Sequence, residues 1–305
     1  MSTNLLSWIN TALLSAAIFG AVNIIDSHLL SKRMPGLLAF LLPVSTISLT
    51  YGLVLFYLFP LPGNTSAGTL LLAITSGIFR TGGVAIMLHT LKREEVSRVT
   101  PVVYTYPVLV AIMAAPLLGE SLYYQEWLAI IMVVAGAVII SFRQSLSGAT
   151  TWPGKMFLLL FGSSLLLAMA DITSKYVLAY ISSWHLFWLT TFCMSGIFFL
   201  VSIRPHVLKQ LINMKQRSST IALLIFNELL APVAIILSLW AIERGPVSLV
   251  STVISSRPIF VLAYALILNR VLPMFLEWQP GKKMLVLRLT ATALVISGIT
   301  IIHLT

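Results

Sequence analysis

Ten apolar stretches, each long enough to cross a lipid bilayer as a helix, dominate this sequence of 305 residues. Numbered 1 to 10 below, these segments are 5–30, 36–59, 67–91, 96–118, 122–142, 154–178, 183–203, 219–243, 247–269 and 284–304. A transmembrane helix needs about 20 apolar residues to cross some 30 Å of hydrocarbon. Only 9% of the residues are charged, against roughly 25% in a soluble domain. The sequence therefore predicts an all-α integral membrane protein with ten transmembrane helices.

Positive charges are distributed unevenly between the links that join these segments. Of the 19 Lys and Arg residues, fifteen lie in links after odd-numbered segments or within five residues of the end of such a link, and only Arg244 lies in an even-numbered link. Cytoplasmic loops carry an excess of Lys and Arg, so we expect a plasma-membrane protein with cytoplasmic odd-numbered links and both termini outside. The anionic inner leaflet then accounts for the net charge of +10, and no nucleic-acid partner is expected. Because MSTN at the start lacks Lys and Arg, we expect segment 1 to be a retained helix rather than a signal peptide.

The two halves of the chain resemble each other at an offset of 151 residues. VSRVTPVVYTYPVLVAI (96–112) aligns with VSLVSTVISSRPIFVLA (247–263), and the matched positions include Pro107 with Pro258. Each half holds five segments, so the second half enters the membrane in the opposite sense. Inverted repeats of this kind are typical of secondary transporters. We predict two inverted five-helix repeats, residues 1–142 and 154–305, joined by a loop at 143–153.

The most specific stretch is LKREEVSRVTPVVYTYPVLVAIMAAPLLGESL (91–122), followed by AIERGPVSLVSTVISSRPIFVLAYALI (241–267). With ten segments in two halves, these stretches resemble the EamA-type transporters of the drug/metabolite transporter superfamily over the whole chain. The resemblance implies that segments 1, 3, 4, 6, 8 and 9 wall a central cavity, with segments 5 and 10 at the periphery. Many relatives keep their termini in the cytoplasm, whereas the charges here predict the reverse. The Gly-Glu of LLGES (117–121) is not repeated in the second half, so any role of this motif belongs to one half only.

Six ionisable residues inside predicted membrane segments are candidates for a functional site: Asp26, Arg80, Asp171, Lys175, Glu228 and Arg257. Such a side chain at mid-bilayer costs about 2.5–3.5 kcal/mol, so it usually faces a partner or a water-filled cavity. Arg257 is the best placed, because Pro258 disfavours helical geometry at the residue before it. Ser255 and Ser256 would line the resulting gap. Two interpretations stay open: Arg257 binds a substrate carboxylate or phosphate, or it forms an ion pair with Glu228.

Arg80 lies midway along segment 3, the repeat equivalent of segment 8, which carries Glu228. We expect the two side chains on opposite walls of one cavity. There, Arg80 either contacts the substrate or is neutralised by Glu228 or by backbone carbonyls. Glu228 is our first choice for a protonation switch, because burial favours the neutral carboxyl and a nearby arginine favours the carboxylate. Asp26, near the end of segment 1, is interpreted as solvated at the membrane interface.

Asp171 and Lys175 are four residues apart on segment 6 and share a helix face. Two interpretations stay open. The two residues form an intrahelical ion pair, or Asp171 is a carboxylate that couples transport to a proton or cation. Tyr104 and Tyr106, in YTYP, align with SSRP (255–258) in the repeat. These tyrosines either hydrogen-bond or stack on a substrate, or they pack between helices.

No motif of an enzyme, a cofactor site or a metal site occurs in the sequence. We therefore predict a monomeric secondary transporter, in particular an exporter, for a small polar or anionic metabolite such as an amino acid or organic acid. Its other partners are the bilayer and a coupling proton or counter-substrate. The alternatives are a flippase for a lipid-linked phosphate, and a non-transporting membrane subunit in which Arg80, Glu228 and Arg257 would be mutually paired.

Overall fold

The structure is a computed structural model that describes residues 2–91, 99, 102–141, 154–214, 217–271 and 282–305. These residues are mostly helical, and no strand occurs among them. In the first half, the helices are α1 Ser2–His28, continued by a π-helical turn Leu29–Arg33, α2 Leu37–Leu58, α3 Ala67–Leu91, α4 Tyr106–Leu118 and α5 Tyr124–Ser141. In the second half, they are α6 Gly154–Val177, α7 Ser183–Ser202, α8 Pro205–Ile212, α9 Arg217–Arg244, α10 Val247–Ile254, α11 Arg257–Val271 and α12 Lys282–Leu304. The predicted loop at 143–153 lies almost entirely outside the described residues.

Eight stretches of the described residues are long and apolar enough to cross a membrane. They correspond to α1, α2, α3, α6, α7, α9, the pair α10–α11, and α12, while α4 and α5 are apolar but shorter. Leu71, Leu158 and Leu200 are largely exposed on the outside of the bundle, as lipid-facing side chains are. This confirms the prediction of an all-helical, multi-pass membrane protein.

Segments 4 and 9 are both interrupted just before a proline, Pro107 in segment 4 and Pro258 in segment 9, where the sequence predicts a loosened helix. In segment 9, residues 255–256 form a turn and α11 begins at Arg257. In segment 4, residues 104–105 form a turn and α4 begins at Tyr106. A proline follows at the second position of each helix, where its missing N–H is not needed and its fixed φ suits a helix start. The prolines therefore start new helices within the two segments.

The most extensive helix contacts join the first half to the second. Helix α5 packs along α12, α3 along α6 and α7, α1 along α9, and α2 along α7. The α5–α12 contact is close because each helix offers a glycine to the other. A Cβ atom added at Gly136 would lie 2.7 Å from the carbonyl oxygen of Ala291, and one at Gly298 would lie 2.9 Å from that of Ala129. Small residues at such positions allow helix backbones to approach each other in a membrane.

Helix α8 lies within the predicted link 204–218 and is not anticipated by the segment pattern. It begins at Pro205 after an extended Arg204 and is only 8 residues long. Val207 is fully buried, whereas Leu208 and Ile212 are exposed. This distribution is typical of a helix that lies along the membrane surface rather than across it.

Candidate functional site

Arg80 of α3 forms an ion pair with Asp171 of α6. The Nη2 atom of Arg80 lies 2.9 Å from Oδ1 of Asp171, and the two side chains are 26% and 7% exposed. The other carboxylate oxygen of Asp171 accepts a 2.9 Å hydrogen bond from the hydroxyl of Ser251 on α10. Asp171 therefore links three helices. The alternative in which Glu228 neutralises Arg80 is wrong, because Asp171 neutralises this arginine instead.

Lys175 binds the carboxyl-terminal end of α9 rather than Asp171. Its Nζ atom donates hydrogen bonds to the carbonyl oxygens of Ile242 at 2.8 Å, Glu243 at 3.3 Å and Gly245 at 2.8 Å. A cation here satisfies carbonyls that lack helical partners and interacts favourably with the helix dipole. The interpretation of Asp171 and Lys175 as an intrahelical pair is therefore wrong, since each side chain has partners on other helices.

Glu120, from the motif LLGES, binds the amino-terminal end of α10. Its carboxylate accepts hydrogen bonds from the backbone N–H of Val247 at 2.6 Å and of Ser248 at 3.3 Å, and also from the Ser248 hydroxyl. A carboxylate is favourable at the first turn of a helix, where N–H groups lack partners. Gly119 has a left-handed φ of 69° and turns the chain after α4 towards this contact. The motif belongs to one half, as expected, but its carboxylate binds the other.

The predicted site omits Glu120. The only sequence signal for its role is that the Gly-Glu pair occurs in one half and not in the other. Together, Lys175 and Glu120 hold the turn between α9 and α10 at both ends. We call Lys175, Glu120 and the turn 243–246 the α9–α10 clamp.

Arg257, the first residue of α11, has no carboxylate partner among the described residues. Its guanidinium carbon lies 3.9 Å from the ring centre of Phe19 on α1, which is a cation–π contact. The Nε atom is buried and has no hydrogen-bond partner. The alternative interpretation, an ion pair with Glu228, does not hold, because Arg257 contacts the Phe19 ring and Glu228 accepts a hydrogen bond from Ser48. Among the described residues, therefore, no carboxylate balances the positive charge of Arg257.

Hydroxyl groups surround the break in front of Arg257. Ser255 and Ser256 are both 1% exposed. The Ser255 hydroxyl donates a 3.0 Å hydrogen bond to the carbonyl oxygen of Ser251, whereas the Ser256 hydroxyl has no partner. The turn thus presents buried polar groups next to the arginine, as the sequence predicts for the gap at this position.

Two tyrosines, Tyr104 and Tyr106, lie near Arg257, and Tyr106 also lies near the ion pair of Arg80 and Asp171. Tyr106 is within electrostatic range of Arg257, Arg80 and Asp171. Tyr104 is buried and also within electrostatic range of Arg257. The structure therefore places Tyr106 near Arg80, Asp171 and Arg257, and Tyr104 near Arg257, while their contact with a substrate stays a prediction. We call Arg80, Asp171, Tyr106 and Arg257 the arginine site.

Glu228 lies apart from both arginines, on α9. Its Oε2 atom accepts a 3.3 Å hydrogen bond from the Ser48 hydroxyl, which in turn accepts one from the Tyr51 hydroxyl at 3.1 Å. The adjacent Asn227 donates from Nδ2 to Oδ1 of Asp26 at 2.7 Å. The carboxyls of Asp26 and Glu228 also interact electrostatically. Asp26 therefore belongs to a polar group with Glu228, the carboxyl cluster, rather than standing alone at the interface.

The fold and the first half both have known counterparts. Residues 6–142 match the model of the EamA-like transporter family. A crystal structure, described only as that of a protein, has a similar fold. The similarity covers 98% of this chain and 98% of the other chain, with a TM-score of 0.66 and 18% sequence identity. No curated protein matches the chain significantly.

The family match agrees with the resemblance carried by the stretch 91–122, and it extends over nearly all of the first half. Members of this family are transporters rather than enzymes. The apolar helices described above agree with a protein of this kind. Residues 6–142, the first half of the chain, thus match the EamA-like transporter family of the drug/metabolite transporter superfamily, and the apolar helices are those of a multi-pass membrane protein.

Proposed function

We propose that this protein is a monomeric secondary-active transporter of the plasma membrane that exports a small anionic or polar metabolite. The observation that carries the proposal is the charge of Arg257, which has no carboxylate partner among the described residues. Arg80 is already neutralised by Asp171. A substrate carboxylate or phosphate would balance the remaining charge, and a guanidinium binds such groups through two parallel hydrogen bonds.

The interrupted helices support an anion site at this place. Backbone that leaves a helix at membrane depth is tolerated where it is buried in protein or lines a water-filled cavity. The amino-terminal ends of α4 and α11 carry partial positive charge, and broken helices in transporters direct such ends at anionic substrate groups. Tyr106 is within electrostatic range of both arginines, so its hydroxyl would be near a carboxylate bound there. An amino acid or organic acid fits this combination of charge and hydroxyl groups.

The same breaks support the proposed inverted repeat. Residues 104–105 and 255–256 are separated by the offset of 151 that aligns the two halves. Eight candidate spans with the shorter α4 and α5 would give ten helices, five in each half. We assign the repeats to 1–142 and 154–305, with the termini outside and the odd-numbered links in the cytoplasm. Rocking of one repeat against the other would then expose the arginine site alternately to each side.

Energy coupling is assigned to carboxyl groups, because the chain contains no motif for a nucleotide. Glu228 is 5% exposed and its carboxyl neighbour is Asp26, so binding a proton would relieve the repulsion between two nearby negative charges. Asp171 has a second role in this scheme, since its protonation would release Arg80 to the substrate. The hypothesis of a non-transporting subunit requires Arg80, Glu228 and Arg257 to be mutually paired, and the three are not paired with one another.

Transport by purified protein in liposomes tests this proposal. Counterflow is measured with amino acids, organic acids and phosphates, for the wild type, Arg257→Ala and the control Arg204→Ala, which removes an exposed arginine. We expect at least one carboxylate or phosphate to be carried, and Arg257→Ala to lower its flux about tenfold or more. Wild-type flux in a folded Arg257→Ala protein would contradict the proposal. Movement of a lipid-linked phosphate without any soluble substrate would favour the flippase instead.

A further inference from the structure

An open cleft of about 740 Å³ lies between the π-helical turn that extends α1 and the end of α8. Its polar lining comprises Ser31, Lys32, Arg33, Lys209, Gln210 and Asn213. Three of these side chains are cationic, three are neutral hydrogen-bonding groups, and the described residues that line the cleft include no carboxylate. Its volume is in the range of about 300–1,000 Å³ that is usual for small-molecule sites.

The cations of this cleft come from links in different halves of the chain. Lys32 and Arg33 follow segment 1, and Lys209 lies in the link after segment 7. A preference for positive charge on one side of the membrane places lysines in both links but does not require them to share a cleft. Like charges that converge repel each other unless an anion lies between them. The convergence therefore favours an anionic ligand.

The geometry of the π-helical turn adds to this arrangement. The backbone N–H of Met34 donates a 2.7 Å hydrogen bond to the carbonyl of Leu29, five residues earlier, which keeps the wide turn closed. Such turns are rare and frequently occur at functional sites. Arg33 donates from Nε to the ring nitrogen Nε2 of His28 at 3.3 Å, which orients the guanidinium group. The turn is thus a structured wall of the cleft.

Helix α8 forms the opposite wall of the cleft, and its side chains are typical of a helix at the membrane surface. Its Lys209 lines the cleft, while Leu208 and Ile212 are 45% and 63% exposed on the helix. Val207 packs into an apolar cluster with Ala39 and Leu42 and so holds α8 against α2. Exposed leucine and isoleucine beside a basic group suit the boundary between lipid headgroups and acyl chains.

We propose that this cleft binds the phosphate headgroup of an anionic phospholipid, with its acyl chains against α8. The site is independent of the arginine site and would hold a lipid whether or not a substrate is bound. Basic clefts between membrane helices bind acidic headgroups in this way. A free phosphate would use the same cations, but it would not use the exposed apolar face of α8.

Lipid binding to the detergent-solubilised full chain tests the proposal, with dioleoylphosphatidylglycerol, dioleoylphosphatidylcholine and inorganic phosphate as separate probes. Thermal unfolding is followed as each probe is titrated. We expect phosphatidylglycerol to raise the unfolding temperature at lower concentrations than either other probe. The double variant Lys32→Gln/Lys209→Gln should weaken its binding about 25-fold, because each basic residue contributes about fivefold at an anionic surface. The control Lys155→Gln, which removes another exposed lysine, should bind normally.

Equal stabilisation by the two lipids would overturn the proposal, as would an equal loss of binding in the control. Stabilisation by inorganic phosphate at the same concentrations as phosphatidylglycerol would assign the cleft to a soluble anion and also contradict the proposal. If the double variant does not fold, a photoactivatable phosphatidylglycerol is cross-linked to the wild-type protein. Cross-links to 31–35 and 209–214 support the site, and cross-links confined to other regions exclude it.

Discussion

Asp171 of α6 holds Arg80 of α3 through a 2.9 Å ion pair, and its second oxygen accepts a hydrogen bond from α10. One carboxylate therefore fixes two helices of the second half to one helix of the first. The pair is mostly buried, so removing one partner leaves the other charge uncompensated, which typically costs about 3–5 kcal/mol. This relationship makes Asp171 the centre of the arginine site's framework.

Asp171→Asn should lower the stability of the protein, because Arg80 then lies in a mostly buried position without a counter-charge. The measurement is thermal unfolding in detergent. The double variant Arg80→Gln/Asp171→Asn should regain part of the lost stability, since it removes both charges. Unfolding of the single variant at the wild-type temperature would show that the ion pair does not hold the helices together.

The α9–α10 clamp should depend on its two charges. Lys175→Met leaves three carbonyl oxygens without their donor, and Glu120→Gln removes the charge at the start of α10. Hydrogen bonds to charged groups contribute about 1.5–3 kcal/mol each, so both variants should unfold at lower temperature. Lys155→Met, at an exposed lysine, is the control and should match the wild type. Equal unfolding temperatures for all four proteins would rule out the clamp.

Glu228→Gln should uncouple transport from the proton gradient. The amide cannot take up a proton, so uptake driven by an imposed pH gradient should fall to the background level, whereas exchange of substrate across the membrane should persist. Both fluxes are measured in the same liposomes. Glu243→Gln is the matched control, because Glu243 pairs with the partly exposed Arg244 at 3.4 Å and lies outside the carboxyl cluster. Gradient-driven uptake at the wild-type rate in Glu228→Gln would exclude this carboxyl as the coupling group.

The α5–α12 contact should be sensitive to a single methyl group. In Gly136→Ala, the new Cβ would lie 2.5 Å from Cγ2 of Val295 and 2.7 Å from a backbone carbonyl, so the helices must separate. We expect a loss of about 1–3 kcal/mol, seen as a lower unfolding temperature. Gly162→Ala is the control, since nothing lies within 4 Å of its added Cβ. A Gly136→Ala protein as stable as this control would show that the close approach is not required.

The membrane-spanning helices and the breaks within them could be predicted from the sequence, because both depend on the residues of the segment itself. Apolar length marks a span, and Pro107 and Pro258 mark positions where a helix has to begin again. Helix α8 was not predicted, since its 8 residues are too few to span a membrane and its sequence is amphipathic. The inverted repeat and the orientation in the membrane remain predictions.

The partners of the charged residues could not be derived from the sequence. Asp171 and Lys175 share a helix face, yet one binds Arg80 and the other binds the end of α9. Glu228 has a serine as its hydrogen-bond partner rather than Arg257. Such choices depend on how each helix is rotated about its axis and how far it slides along its neighbours. Sequence spacing fixes neither of these.

In the proposed mechanism, Arg257 binds the negative charge of the substrate. The most direct measurement is the affinity of wild type and Arg257→Gln for the transported anion and for its uncharged amide analogue. The wild type should prefer the anion by about tenfold or more, as expected for a charge-assisted hydrogen bond. Arg257→Gln should bind the two equally and should bind the amide as the wild type does. An undiminished preference for the anion in Arg257→Gln would contradict the account.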